Sequence, residues 1–340
     1  MNDIRVHAVI LAGGNGEHLW PLSRKTHPKQ TLPFLQNTSL LEQTIERISS
    51  YIPEQRRWIV TSAEHEDHIL EKVGNLVAGV IVEPEARNTA PAMLLAALLI
   101  HQNDPDAVLL FLPSDHYIPQ TNLFLEFVYH AIDFVAENEK ITLFGLRPTH
   151  PSTSYGYIQY KADQLFPAPV VQFHEKPHSQ SAQQYCDDGY LWNSGIVASH
   201  VQTFINISKE VAPEIYEAVS DYIQGCGDYA DSPSVSVDYG IMEKTDKATV
   251  LPADFIWHDI GNLETFLSLR NAFQSEDNVI QIDAKDNLIE AEGLLVAVVG
   301  VDNLCVIQKD DILLIVHRDQ VEKVKQIIDT LKKGHKEEYL

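Results

Sequence analysis

The chain has 340 residues, with 25 Lys and Arg against 48 Asp and Glu and a formal net charge of −23. This acidity argues against nucleic acid or an anionic membrane as a partner, because both repel a polyanion. The length suits one large α/β domain and a smaller one. No run of about 18 apolar residues and no signal-peptide pattern is present, so we expect a soluble, cytoplasmic protein.

The first predicted element is a strand, Val6–Leu11, followed by three glycines within four positions, Gly13, Gly14 and Gly16. Such a turn exposes consecutive backbone N–H groups, and the concavity suits a phosphate. The spacing matches neither the P-loop nor the dinucleotide fingerprint. From the glycines alone, an ordinary tight turn remains an alternative.

A cluster of five potential cations follows the glycines in this acidic chain. They are His18, Arg24, Lys25, His27 and Lys29. A polyanionic ligand would be repelled at long range unless positive groups were concentrated at its site. A solvated basic surface turn is the alternative, which the adjacent Pro28 disfavours by restricting the backbone.

The first 150 residues alternate strand-like and helix-like patterns. The predicted strands are Val6–Leu11, Trp58–Thr61, Gly79–Glu83, Ala107–Leu112 and Ile141–Gly145, and the predicted helices are Ser39–Ser50, Glu64–Val73, Pro91–Gln102 and Leu123–Asn138. The alternation indicates a mainly parallel sheet with helices on both faces, in which ligands bind beyond the carboxyl ends of the strands. We expect three segments at that edge. They are residues 13–16, which we call the glycine loop, and the segments Glu83–Thr89 and Pro113–His116.

Beyond Asn278 the pattern changes to short β-rich pieces. They are Val279–Ile282, Leu288–Glu290, Leu294–Val301, Leu304–Gln308 and Ile312–Val316, followed by a helical Gln320–Lys332. Their apolar strands leave two alternatives open, packing within the chain or self-association as a homodimer. The three cysteines are widely separated, which disfavours both a disulfide framework and a zinc site.

Several segments resemble the motifs of the sugar nucleotidylyltransferases, in the branch of the mannose-1-phosphate guanylyltransferases. They are Gly13–Arg24, Pro28–Gln30, Glu83–Ala92, Leu112–His116, Tyr155–Ile158, Phe173–Pro177, Trp192–Gly195, Ser236–Lys244 and Trp257–Gly261. Two positions depart from the usual GGxGTRLWPLSR pattern: Glu17 stands for Thr, and His18 stands for an Arg that contacts the nucleotide phosphates. The imidazole offers fewer donors than a guanidinium and no permanent charge.

The resemblance implies a fold and a division of the chain. Residues 1–275 are expected to form an α/β, Rossmann-like nucleotidyltransferase domain with a mainly parallel mixed sheet. Residues 276–340 are expected to form a small left-handed β-helix-like domain.

The resemblance also implies the nucleotide site. The residues implied to hold the nucleotide are Leu11, Ala12, Gly13, Gly14, Gly16, His18, Glu83, Asn88, Thr89 and Ser114, with Arg24 and Lys29 in catalytic roles on the triphosphate. Glu83 would accept from the guanine N1 and N2 hydrogens. Asn88 and Thr89 have a structural alternative as helix caps. Asp115 and Asp259 would bind Mg²⁺, which prefers oxygen ligands, although an aspartate after a strand is commonly a cap or turn residue.

The implied sugar-phosphate site follows later in the chain. Tyr155, Gly156, Glu175 and Asn193 would contact the sugar, and Lys176 would grip the sugar phosphate as a third catalytic residue. A surface ion pair is the alternative for Glu175 and Lys176, and a turn-forming side chain is the alternative for Asn193.

The implied reaction joins GTP and mannose 1-phosphate into GDP-mannose and pyrophosphate. One alternative is a nucleotidylyltransferase for another base or sugar, such as a heptose or glucose phosphate. A second is a non-catalytic regulatory paralogue that binds GDP-mannose, for which His18 is the only support. A third is a structural partner that uses the β-rich C-terminal part as an interface.

Overall fold

The computed structural model describes residues 4–14, 16–24, 28–163, 165–273 and 278–340. Lys25 and His27, two of the five predicted cations, lie outside the described residues. The chain divides into two compact units. Unit 1 comprises Met1–Gly13, Ile45–Ser114 and Ile118–Ile256, and unit 2 comprises Gly14–Thr44, Asp115–Tyr117 and Trp257–Leu340.

Strands and helices alternate along the chain. The strands are Val6–Leu11 (β1), Pro33–Leu35 (β2), Thr38–Ser39 (β3), Arg57–Ser62 (β4), Gly79–Glu83 (β5), Val108–Pro113 (β6), His116–Tyr117 (β7), Ile141–Leu146 (β8), Tyr157–Tyr160 (β9), Ala168–His174 (β10), Leu191–His200 (β11), Ala248–Ala253 (β12), His258–Asp259 (β13), Val279–Ile282 (β14), Leu288–Ala291 (β15), Val296–Val299 (β16), Leu304–Lys309 (β17) and Ile312–His317 (β18). The α-helices are Leu40–Ile48 (α1), Glu66–Val73 (α2), Thr89–Asn103 (α3), Thr121–Glu137 (α4), Ser179–Asp187 (α5), Val201–Val211 (α6), Pro213–Gln224 (α7), Leu263–Phe273 (α8) and Val324–Lys333 (α9).

The centre of unit 1 is a nine-stranded sheet in the order β5-β4-β1-β6-β11-β8-β12-β10-β9. The four strands from the first part of the chain, β5, β4, β1 and β6, are parallel, as predicted. The other half is mixed, because β11 runs antiparallel to both β6 and β8 while β8 and β12 are parallel. Strands β9 and β10 pair antiparallel, which needs no crossover helix.

The register of the parallel strands brings their carboxyl ends to one edge. Leu11 pairs with Pro113 at the ends of β1 and β6, and Ser62 pairs with Glu83 at the ends of β4 and β5. Both faces of these strands are covered. Helix α3, apolar all round, packs with α6 and α7 in one continuous core, consistent with a buried parallel sheet.

Unit 2 contains the β-rich C-terminal part. Strand β14 pairs in parallel with β16, and β15 pairs in parallel with β17, and both pairings join residues 17 positions apart. A chain that returns to the same position at a fixed interval forms the coils of a β-helix, so the predicted β-helix-like part is confirmed. None of the described helices is long and apolar enough to cross a membrane.

A second core holds unit 2 together. It combines Leu19, Trp20 and Leu22 with apolar residues of α8, β17, β18 and α9. The segment that follows the glycines therefore packs with the C-terminal part of the chain, within unit 2. This packing follows from the apolar residues in the Leu-Trp-Pro-Leu sequence, which need a buried partner.

Candidate functional site

Three side chains of the metal-ligating type meet in unit 2, and we call them the Asp115 cluster. One ligand atom from each of Asp115, His116 and Asp259 lies within 4.8 Å of the others. Asp259 is directly opposite His116 in the antiparallel pair β7–β13, so the two side chains share a face. The main-chain N–H of Ile260 donates to the Asp115 carbonyl at 3.1 Å.

The two aspartates of this cluster were predicted as metal ligands, and the fold brings them together from positions 144 residues apart. Sequence reasoning assigned His116 no catalytic part, although its place beside Asp115 was visible. Carboxylate oxygens suit hard cations such as Mg²⁺, and an imidazole suits softer divalent metals. The donor set therefore fits a divalent cation.

Lys29 is bound to this cluster by an ion pair. Its Nζ donates to Asp115 Oδ2 at 2.7 Å. Burial opposes the charged form of both groups, but their mutual attraction outweighs it, so the pKa of Lys29 is raised and the pKa of Asp115 is lowered. Both groups are charged at neutral pH. The Asp115 carboxylate thus already holds a cationic group, which shows that its surroundings accept positive charge.

The stem of Lys29 lies along two of the glycines. A Cβ atom at Gly14 would be 3.1 Å from Lys29 Cε, and one at Gly16 would be 3.0 Å from Lys29 Cβ. Gly16 also has φ +68°, a backbone conformation that side chains other than glycine rarely adopt. The amide of Gln30 donates to the Gly14 carbonyl at 2.6 Å. The lysine can lie this close to the loop because neither position carries a side chain.

The predicted nucleotide-binding residues Leu11, Ala12, Gly13 and Ser114 lie in unit 1, at or just after the ends of β1 and β6. The N–H of Ala12 donates to the Val60 carbonyl at 2.8 Å, and the buried Ser114 donates its N–H to the Leu11 carbonyl at 3.1 Å. A Cβ atom at Gly13 would lie 3.3 Å from Oε2 of Glu83. Their nucleotide-binding roles stay predictions.

Arg24 and His18 both contact the C-terminal part of unit 2. The Arg24 guanidinium donates to Asp311 Oδ1 at 3.1 Å and to the Lys309 carbonyl at 3.2 Å. His18 Nδ1 lies 3.7 Å from Glu322 Oε2, with both side chains largely exposed. Phosphate binding by these two residues stays a prediction.

Glu83 and Tyr229 form a second site in unit 1, which we call the Glu83 cluster. Glu83 ends β5 with only 4% of its surface exposed, and the Tyr229 hydroxyl donates to its Oε1 at 2.7 Å. Burial raises the pKa of Glu83 to about 7, although the hydrogen bonds from Tyr229 and from the Arg87 backbone favour its ionised form. Nothing in the sequence pointed to Tyr229, which lies 146 positions further along.

Asn88 and Thr89 have structural partners at the start of α3. Asn88 is the N-cap, with φ 69°, and its side chain accepts from the Thr89 N–H at 2.8 Å. The Thr89 hydroxyl accepts from the Val237 N–H at 2.8 Å. These contacts match the capping alternative, and a nucleotide contact for either residue stays a prediction.

The remaining predicted residues gather in unit 1 around Glu175. An ideal Cβ at Gly156 would lie only 2.6 Å from Glu175 Oε2, so the carboxylate sits directly over the glycine. Lys176 has φ 43°, and its Nζ lies 3.6 Å from Glu175 Oε1. Burial raises the pKa of Glu175. The ring of Tyr155 packs edge-on against Trp192, with centroids 4.9 Å apart.

Asn193 is oriented by two hydrogen bonds in this group. Its Nδ2 donates to Asp238 Oδ1 at 2.8 Å, and its Oδ1 accepts from the Gly195 N–H at 3.1 Å. Burial, together with the nearby Glu175 carboxylate, raises the pKa of Asp238 to about 7. Sequence reasoning included Asp238 in a motif but gave it no role. We call Gly156, Glu175, Lys176, Asn193 and Asp238 the Glu175 cluster.

Comparisons with known proteins identify the family of the chain. The profile of the nucleotidyl transferase family matches residues 7–276, and that of the MannoseP isomerase/GMP-like beta-helix domain matches residues 277–331. The mannose-1-phosphate guanylyltransferase RfbM of Salmonella typhimurium is 36% identical, with 97% of this chain and 73% of that protein covered.

Two further comparisons point to the same family. The xanthan biosynthesis protein XanB of Xanthomonas campestris is 36% identical, with 97% of this chain and 74% of that protein covered. A solved structure from Thermus thermophilus, named mannose-1-phosphate geranyltransferase, matches with a TM-score of 0.87 and 30% identity over 97% of this chain and 100% of that one. The chain therefore belongs to the nucleotidyl transferase family, in the group that includes the mannose-1-phosphate guanylyltransferases.

Proposed function

We propose that this chain transfers GMP from GTP to α-D-mannose 1-phosphate, with Mg²⁺, giving GDP-mannose and pyrophosphate. The observation that carries the proposal is the similarity, along nearly the whole chain, to a relative named for this activity. The three clusters described above supply the group types that the reaction needs. The choice of guanine, mannose and Mg²⁺ is part of the proposal.

The reaction needs no nucleophile from the protein. A phosphate oxygen of mannose 1-phosphate attacks the α-phosphorus of GTP and forms the new P–O bond. The bond from the α-phosphorus to the oxygen that bridges to the β-phosphate breaks, and its electron pair leaves with pyrophosphate. The task of the chain is to align the two phosphates and to neutralise their charge.

The Asp115 cluster would bind the metal and the triphosphate. Asp115 and Asp259 would hold Mg²⁺, which when bound neutralises charge on the substrate phosphates. Lys29, released from its ion pair with Asp115, would donate to phosphate oxygens of GTP. The N–H groups of Gly14 and Gly16 would add donors, as glycine-rich turns do at phosphate sites.

The two clusters of unit 1 would select the substrates. The buried Glu83 carboxylate has the acceptor character that the N1 and N2 hydrogens of guanine require, and adenine lacks this pair of donors. In the Glu175 cluster, Glu175 and Asn193 would bind sugar hydroxyls. The exposed ammonium of Lys176 would bind the attacking phosphate.

The experiment is pyrophosphate release from GTP and mannose 1-phosphate with Mg²⁺, beside ATP, UTP, dTTP and glucose 1-phosphate. We expect release selective for GTP and mannose 1-phosphate, and its loss on chelation of the metal. We expect Asp259→Asn to lower turnover by about 100-fold or more. The substitution removes a charged ligand of the metal, and the metal is what neutralises charge on the reacting phosphates. Asp254→Asn, the same change at an exposed position, is the matched control.

Other outcomes separate the alternatives. Release with another nucleotide or sugar phosphate would assign the chain to a different specificity within the family. If no pair of nucleotide and sugar phosphate reacts while the protein still binds GDP-mannose, the proposal is wrong. The hypothesis of a non-catalytic regulatory paralogue then replaces it. Near-full turnover of Asp259→Asn would refute the metal assignment alone.

A further inference from the structure

The segment Glu17–Arg24, directly after the glycine loop, is attached to the C-terminal end of the chain. Trp20 Nε1 donates to the main-chain carbonyl of Tyr339 at 2.7 Å. Lys332 Nζ donates to Glu17 Oε1 at 2.8 Å. All of these residues belong to unit 2, yet they are more than 300 positions apart in sequence.

Trp20 is the centre of this attachment. Its indole is 6% exposed and lies in the same apolar cluster as Val321, just before α9, and Val324 and Ile328, within α9. Tyr339 and Leu340, at the end of the tail, pack against the same cluster. A buried N–H that finds a carbonyl acceptor both satisfies the donor and sets the position of the ring.

The two positions that depart from the usual family pattern take part in the same attachment. Glu17, where the pattern has Thr, pairs with Lys332 of α9. His18, where the pattern has Arg, lies 3.7 Å from Glu322, just before α9. These departures therefore link the segment to residues near the C-terminus of this chain.

A short path leads from the segment to the glycines. The Gly16 carbonyl accepts from the Leu19 N–H at 2.9 Å and from the Ser23 hydroxyl. Lys29 passes close to Gly16, because a Cβ built on this glycine would lie 3.0 Å from Cβ of Lys29. Movement of Trp20 would thus reach Gly16 and the side chain that pairs with Asp115.

We propose that α9 and the tail Gly334–Leu340 are a positioning element for the glycine loop and thereby set the affinity for the triphosphate of GTP. Trp20 and Lys332 are its positioning residues. Backbone N–H groups bind an anion tightly only when they are held in place beforehand, since ordering a loose loop costs affinity. The inference rests on the proposed function, because it assigns the ligand of the loop.

The test combines Trp20→Phe, which removes the N–H donor and keeps an aromatic ring, with deletion of residues 336–340. We expect each variant to raise the Kd for GTP with Mg²⁺, measured by calorimetry, about fivefold to tenfold. The KM for mannose 1-phosphate is expected to change by less than about twofold. A general loss of structure would instead affect both substrates.

A charge exchange tests the Glu17–Lys332 pair on its own. Glu17→Lys is expected to raise the Kd for GTP about twofold to threefold, since the pair is partly exposed, and adding Lys332→Glu is expected to restore it. Lys325→Glu, the same charge change at an exposed position of α9, is the matched control and is expected to leave the Kd unchanged. Failure of the second change to restore affinity would refute the role of this pair.

Amide hydrogen exchange of the peptide over residues 11–24 separates this inference from the proposed function. Faster exchange is expected in Trp20→Phe and in the deletion variant but not in Lys325→Glu. Unchanged exchange and unchanged GTP affinity in both variants would overturn the positioning role. A wild-type chain that neither binds nor turns over GTP would refute the proposed function, while the exchange measurement would still decide whether the tail holds the loop.

Discussion

Replacing Glu83 by Gln tests whether burial raises the pKa of this carboxyl group. Glu83 is 4% exposed, and burial raises its pKa from 4.5 to about 7. Gln has the same shape and can still accept the hydrogen bond that the Tyr229 hydroxyl donates at 2.7 Å. The variant therefore removes the titration and keeps the main contact.

The sign and size of the effect follow from the pKa. Between pH 4.5 and about 7 the folded chain binds more protons at Glu83 than the unfolded chain, so this residue lowers the free energy of unfolding as the pH rises. The full shift in the pKa of Glu83 corresponds to about 3 kcal/mol in the free energy of unfolding. As the pH rises from 5 to 8, we therefore expect the free energy of unfolding of Glu83→Gln to increase by about 2–3 kcal/mol relative to that of the wild type.

The assay is urea unfolding followed by circular dichroism at pH 5, 6, 7 and 8. The difference between variant and wild type isolates Glu83 from Asp238, whose pKa is also raised to about 7 and which is present in both proteins. Glu71→Gln, the same change at an exposed position of α2, is the control, and its curve should run parallel to that of the wild type. Parallel curves for Glu83→Gln and the wild type would refute the reasoning.

Three other substitutions have expected outcomes. Tyr229→Phe removes the hydroxyl donor to Glu83 and should lower the free energy of unfolding by about 1–3 kcal/mol in the same urea assay; an unchanged midpoint would contradict this. Lys29→Met should lower the free energy of unfolding without metal by about 3 kcal/mol, and added Mg²⁺ should raise its melting temperature more than that of the wild type; equal shifts would count against the ion pair. Asp238→Ala removes an acceptor from Asn193 and should raise the KM for mannose 1-phosphate about fivefold with little change for GTP, which substrate titrations would check.

Much of the fold could be predicted from local sequence. Strand β1 has the predicted bounds Val6–Leu11, and β5 has the predicted bounds Gly79–Glu83, because a short apolar run between turn residues favours a strand. The parallel half of the sheet was predicted from the alternation of strands and helices. The antiparallel position of β11 was not, because strand order depends on pairings between distant residues.

The C-terminal part illustrates the same limit. Its short strands were recognisable from composition, and the resemblance implied a β-helix-like arrangement. The interval of 17 residues that brings Val279 beside Val296 became visible only in the fold.

By itself, the sequence determined which chemical groups the chain offers: glycines after the first strand, Lys29, two aspartates after strand-like segments, and the Glu175–Lys176 pair. Gly16 illustrates this, since a positive φ favours glycine whatever surrounds it. Only the tertiary structure decided which groups meet. Three hydrogen bonds join residues from distant parts of the chain: Tyr229 to Glu83, Asn193 to Asp238, and Trp20 to the Tyr339 carbonyl. A hydrogen bond between distant residues leaves no local pattern in the sequence, because each partner is an ordinary residue until folding buries it beside the other.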